Sequence, residues 1–275
     1  MTRRLPCCLA LAGLLAAMTA LGGCANWRTR GATAGGLPTS NRMDFEQLVV
    51  YSNSPLPAKH RLLAELDSQR AAVNGKLALP PSDEKIHVYL FGEAALLHTY
   101  VHAHWPDFPD RRAMFIETDT RLEVYAYWGD RVAEDLRHEV AHGYLHSVVP
   151  RIALWIDEGL AEYFEVPPGR LGLNDGHVVQ LADELKTGWQ PNLVRLENLP
   201  SAAEMNQRDY AEAWAWAHLL LETTPDRLAM LQAYLSDVRT GGSSEPMSSR
   251  LAKAEPQISA RFVEHVNALA ATLAK

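Results

Sequence analysis

Apolar and polar positions follow two different periods, and the change between them divides the chain. Between residues 44 and 130 the apolar runs are short: FEQLVVYS, IHVYLF (86–91), AMFIET (113–118) and RLEVYAYW (121–128). These read as strands, the last two closing a hairpin around Asp119-Thr120. Between them, residues 58–73 put Leu62, Leu66, Gln69 and Val73 on one helical face with Leu63 beside it, and GEAALLHTYVHAH reads as a second helix. After Asp130 the period is helical throughout: 131–148, 153–165, 178–187, 208–222, 225–238 and 257–274, with GGSSEPMSS (241–249) as a loop. Strands first and helices afterwards predict an α+β fold. The expected parts are a small mixed sheet with helices on it (44–130), a helix pair (131–166) and a helical remainder (167–275), without internal repeats.

The beginning of the chain has another character. Arg3 and Arg4 precede an apolar run from Leu5 to Leu21, too short and too rich in Ala and Gly for a spanning helix, so residues 1–23 read as an export signal. The ending Leu21-Gly22-Gly23-Cys24 resembles the bacterial lipobox. That resemblance implies a lipidated Cys24 as the mature N-terminus. Ala25 after it implies the outer membrane, facing the periplasm, with the membrane reached through the lipid anchor. Residues 24–43, rich in Gly, Thr, Ser and Arg, are expected to be a tether. Of the three cysteines, Cys7 and Cys8 leave with the signal, so no disulfide is expected. The formal charge of −7, more negative once Arg3 and Arg4 are gone, argues against a nucleic-acid partner.

The candidate chemistry lies in RHEVAHGYLH (137–146). His138 and His142 are four residues apart and share a helix face, about 6 Å apart along the axis. Both imidazoles can reach one metal ion, and Glu139 beside the first can act as general base on water at that ion. A third ligand is needed. His146 continues the spacing but lies about 12 Å along the axis from His138, too far to share an ion. LWIDEGLAEYFE (154–165) offers a better one. If its helix packs antiparallel on the first, Glu158 comes level with His142 and serves as third ligand. Glu162, one turn on, falls near His138 and accepts its second ring N–H. Gly159 lets the two backbones approach, and Trp155, Leu160, Tyr163 and Phe164 make the segment read as buried, where carboxylates need partners. The remaining histidines show no ligand spacing with a carboxylate; His102 and His104 alternate rather than share a helix face.

HEVAH followed by WIDEGLAEYFE resembles the gluzincin zinc metallopeptidases, most closely the bacterial peptidase-MA-like members. The likeness covers residues 137–165. It implies a single zinc ion held by His138, His142 and Glu158, with Glu139 as base and a peptide or protein substrate. It further implies that RLEVYAYW pairs with the substrate backbone, and that Tyr210 in QRDYAEAWAWAHLLL stabilises the oxyanion; the same tyrosine reads equally as core packing. The Gly-x-Met-Glu-Asn strand of the aminopeptidases is absent, and with it any support for aminopeptidase activity. The longer metzincin pattern fails as well, because Leu145 and Val148 stand where it needs Gly and His. Two alternatives share the motif: a catalytically inactive peptidase-fold lipoprotein serving as an interaction module, and a zinc hydrolase of a non-peptide substrate.

Overall fold

Apolar residues on both faces of its inner strands make a sheet that must be covered on both sides. The computed structural model describes residues 36–57, 59–241 and 245–274. These belong to one compact unit. Five strands, β1 (Asn41–Phe45), β2 (Leu48–Ser52), β3 (Ile86–Phe91), β4 (Ala113–Glu117) and β5 (Leu122–Tyr127), form a sheet in the order β1-β2-β3-β5-β4. The inner strands β2, β3 and β5 are parallel, and the antiparallel strands β1 and β4 form its edges.

Strand alternation sorts the two faces by chemistry. Ile86, Val88 and Leu90 of β3 and Leu122, Val124 and Ala126 of β5 join an aliphatic layer. On it pack helix α1 (Arg61–Leu77), through Leu62, Leu63, Leu66 and Val73, and helix α3 (Val132–His146). The intervening positions Tyr89, Phe91 and Tyr125 face α2 (Ala94–His104) and meet its Leu97, Tyr100 and Val101. Aromatic stacking runs across this second face, Tyr51 on Tyr89 and Tyr89 on Tyr125, with ring centroids 5.1 and 5.2 Å apart.

The remaining helices are α4 (Leu154–Phe164), α5 (Asp175–Lys186), α6 (Leu193–Glu197), α7 (Gln207–Glu222), α8 (Pro225–Arg239), α9 (Met247–Ala254) and α10 (Ile258–Leu273), with a 3-10 turn at Ala202–Glu204. Helix α4 is buried nearly all round, between α3 and α7. Gly159 makes the α7 contact feasible: a Cβ there would stand 2.4 Å from the Ala213 carbonyl oxygen. The expectation that Gly159 brings α3 and α4 together is therefore corrected; the close approach is to the Ala-rich face of α7.

The predicted strands and long helices occur where the periodicity puts them. Four differences stand out. Asn41–Phe45 is a strand paired with β2, so ordered structure begins inside the segment expected to be a tether. Helix α9 occupies part of the expected loop, and α6 falls where the periodicity predicts no helix. β5 lies between β3 and β4 with both sides paired, so it cannot be the strand that receives a substrate backbone; the edge belongs to β4. The expected signal and Cys24 lie outside the described residues. No helix among the described residues is long and apolar enough to cross a membrane.

Candidate metal centre

The His-bearing helix α3 and the acidic helix α4 run antiparallel, and their facing side chains converge. His138 Nε2 and His142 Nε2 are 3.3 Å apart, and Glu158 Oε2 is 3.6 Å from each. Bonds of about 2.0–2.1 Å to a tetrahedral ion require ligand atoms about 3.3–3.4 Å apart, so this set fits zinc with little adjustment. Two imidazoles and a carboxylate are also the donor types such an ion takes.

The opposite ring nitrogens are held as well. His142 Nδ1 meets Asp157 Oδ1 at 2.9 Å, and His138 Nδ1 meets Glu165 Oε2 at 2.9 Å. A carboxylate only accepts, so each Nδ1 carries the hydrogen and each Nε2 lone pair is directed at the centre of the cluster. Two further groupings, His142/His146/Asp157 and His138/Glu162/Glu165, are close enough to hold a cation. Both draw on Asp157 or Glu165, the carboxylates that orient the central rings. The His138/His142/Glu158 set leaves those bonds intact and uses only inward-facing atoms.

Each of these carboxylates is held in turn. Asp157 Oδ2 receives His146 Nε2 at 2.9 Å, and His146 Nδ1 reaches Glu117 of β4 at 2.7 Å. His146 thus stays out of the metal set, as its distance along the helix requires, and ties Asp157 to the sheet edge. Near His138, Asn174 donates to Glu165 Oε1 at 3.3 Å. Arg137 donates to the Glu165 carbonyl, and Gln69 of α1 bridges the carbonyls of Arg137 and Phe164 at 2.7 and 3.0 Å. The assignment of Glu162 as the partner of His138 is corrected: Glu165 takes that place, and Glu162 pairs with His177 Nε2 of α5 at 2.8 Å.

The electrostatics follow from so many carboxylates around two imidazoles. Burial opposes the charge on His138, but Glu158 and Glu165 outweigh it and hold the ring well above the ordinary histidine range. Against the same burial, Asp157 and Glu158 lift His142 to about 10. Burial would raise Glu158, yet its hydrogen bonds with the two histidines bring it down to about 2. The cluster therefore attracts cations, and a divalent ion competes with protons for the same two nitrogens.

Glu139 stands beside this centre, half-buried, its carboxyl pushed up first by burial and pulled down by the two histidines. Tyr210, in the first turn of α7, is positioned by a capping box between Asn206 and Asp209. Its ring packs on the core, and its phenol is raised by burial and then by Glu158, while Arg111 and His138 lower it. Tyr210 thus packs on the core and is close enough to Glu158, His138 and Arg111 to feel their charges. Arg111, exposed two residues before β4, is a neighbour of Glu139 and Tyr210 that spacing does not reveal.

Strand β4 lies against the cluster. It runs alongside α3: Arg112 binds Asp135 through both carboxylate oxygens, Phe115 stacks on His142 with centroids 5.8 Å apart, and Glu117 meets His146. Its ladder with β5 is framed by Tyr127 N–H to Arg112 O and Thr118 N–H to Arg121 O. Antiparallel pairing alternates, so Ala113 and Phe115 turn their backbone N–H and C=O groups to the open edge. No protein-family profile matches the chain, and no curated protein matches it.

Proposed function

We propose that this chain is a zinc-dependent hydrolase of peptide bonds, similar in its site to the gluzincins. The observation that carries this reading is the convergence of His138 Nε2, His142 Nε2 and Glu158 Oε2 within 3.6 Å, with Glu139 beside them. His138, His142 and Glu158 would hold the zinc, which supplies Lewis acidity and lowers the pKa of water. Glu165 and Asp157 keep the two imidazoles oriented. Glu139 accepts the proton of the attacking water and returns it to the leaving amine. The Tyr210 hydroxyl donates to the oxygen on which charge develops. The open edge at Ala113 and Phe115 suits an extended peptide added as a further strand. On this reading the chain is exported and anchored through a lipidated Cys24 at the periplasmic side of the outer membrane. Intact-mass measurement of the membrane-derived protein checks that, with cleavage elsewhere and no acyl groups as the contrary result.

The test of catalysis is a peptide-library digest by wild type and Glu139→Gln. The variant keeps all three metal-site side chains and should bind zinc normally while losing about 10²–10⁴-fold in rate. Hydrolysis at the wild-type rate by Glu139→Gln would overturn the reading. A wild type that holds zinc and cleaves nothing would point to the interaction-module alternative.

A further inference from the structure

Helix α3 carries a third histidine on the face of the two central ones, one turn beyond His142. His146 Nε2 is 2.9 Å from Asp157 Oδ2, and His146 Nδ1 is 2.7 Å from Glu117 Oε2. The other oxygen of Asp157, Oδ1, is 2.9 Å from His142 Nδ1. An unbroken row of hydrogen bonds therefore runs from Glu117, the last residue of β4, through His146 and Asp157 to His142. We propose that His146 is a positioning residue for the metal centre: it fixes Asp157, and through Asp157 the ring of His142, from the edge strand β4. The proposal rests on the metal-binding part of the function proposed above and on no step of the hydrolysis.

Both ring nitrogens of His146 face carboxylate oxygens, which only accept, so both carry hydrogens and the ring is a cation between two anions. A metal ligand needs a bare nitrogen, so this histidine serves by donating. Asp157 is only 9% exposed, and its two oxygens are committed to two different rings. A buried carboxylate that loses one of two partners has reason to turn or to take up a proton, and His142 Nδ1 then loses a fixed acceptor. His146 is itself held from a second side. The Phe115 ring of β4 lies against both histidines, with centroids 5.1 Å from His146 and 5.8 Å from His142. The His146 side chain is 15% exposed, so water competes little for its two bonds. The orientation of His142 thus depends on a strand that contributes no ligand. The competing explanation is that the same bonds only fasten β4 to the helix pair.

Zinc titration of the full chain against a chromophoric chelator, with the visible spectrum of the cobalt-loaded protein beside it, separates the two. His146→Asn keeps a donor near the Nδ1 position, toward Glu117, and loses the one toward Asp157. His146→Gln places a donor near the Nε2 position and can keep the bond to Asp157. His146→Asn should weaken zinc binding by roughly tenfold, the low end for partners behind a ligand, and shift the cobalt bands. His146→Gln should restore most of both. Added to Asp157→Asn, His146→Asn should cost nothing further, because the path runs through Asp157. Glu117→Ala, at the far end of the row, is the second variant should His146→Asn fail to fold, which a melting curve shows. It should weaken zinc less than His146→Asn does, and not at all beside Asp157→Asn. Lower melting temperatures with isotherms and cobalt bands equal to wild type would overturn the proposal, and so would an equal loss with and without Asp157→Asn. A wild type that takes up neither zinc nor cobalt would overturn the metal centre itself, and this proposal with it.

Discussion

Helices α3 and α2 each carry two histidines four residues apart, and the sheet lies between them. The spacing is the same, and the surroundings differ. On α3 both rings have a carboxylate behind Nδ1 and the Glu158 carboxylate 3.6 Å in front, and His142 is only 5% exposed. On α2 one ring is oriented by a carbonyl, the other only by Asp110, and both stand at the surface. A third pair, His218 on α7 and His265 on α10, meets at 3.0 Å with no carboxylate hydrogen-bonded to either ring among the described residues. Histidine spacing alone therefore does not make a metal centre. What distinguishes α3 is the helix opposite it, which contributes Asp157, Glu158 and Glu165 from one buried segment.

The strongest consequence of this contrast falls on the ligands. Glu158→Ala should abolish tight zinc binding, read as metal content after dialysis against a chelator, while His102→Ala leaves that tight zinc in place. The proposed oxyanion donor, Tyr210, comes next. Tyr210→Phe should slow hydrolysis by about 10²-fold with zinc content unchanged. A Tyr210→Phe protein at the wild-type rate but with a lowered melting temperature would assign the residue to packing alone. The orienting carboxylates follow: Asp157→Asn and Glu165→Gln should each weaken zinc binding by roughly 10- to 100-fold, and Glu162→Gln by less, because its partner is His177. An isotherm for Glu165→Gln equal to wild type, beside a strongly weakened Glu162→Gln, would reverse this ranking.

The mildest consequence concerns the pair whose rings hydrogen-bond no carboxylate among the described residues. Burial first brings His218 and His265 down to about 4; at His218 Glu222 opposes it and Lys76 adds to it, and at His265 His218 and Arg227 add to it. The unfolded chain binds protons near the usual histidine pKa of about 6.5, so it binds more than the folded chain between that value and 4. Their contribution to stability is thus present above pH 6.5 and is lost as the pH falls toward 4. Melting temperature should decline over that interval, and His265→Gln should flatten the decline. An unchanged slope in His265→Gln would show that other groups carry it.

Apolar periodicity makes the strands, the long helices and the convergence of His138, His142 and Glu158 legible, because each rests on helix or strand geometry over a short stretch. The rest depends on neighbours that no local period reveals. Glu165 lies just beyond the last helical residue of α4, and Glu162 is drawn to His177 by a helix whose docking cannot be read from its own residues. A hairpin of two apolar strands does not tell which one pairs again, so its second strand, β5, looks as available to a substrate as β4, which holds the edge. Gly159 reads most simply as a contact with the helix before it in sequence; its tight contact is with Ala213, more than fifty residues later. His98 and His102 share a helix face, but Asp110 reaches them only after the chain turns back.

The metal centre itself stands or falls on the zinc content of wild type, Glu158→Gln and Glu162→Ala, purified side by side and dialysed against the same chelator buffer. Wild type should hold about one tightly bound zinc per chain. Glu162→Ala should retain it and Glu158→Gln should lose it. A wild type that holds no metal, or a Glu158→Gln protein that keeps zinc while Glu162→Ala loses it, would refute the assignment of this centre.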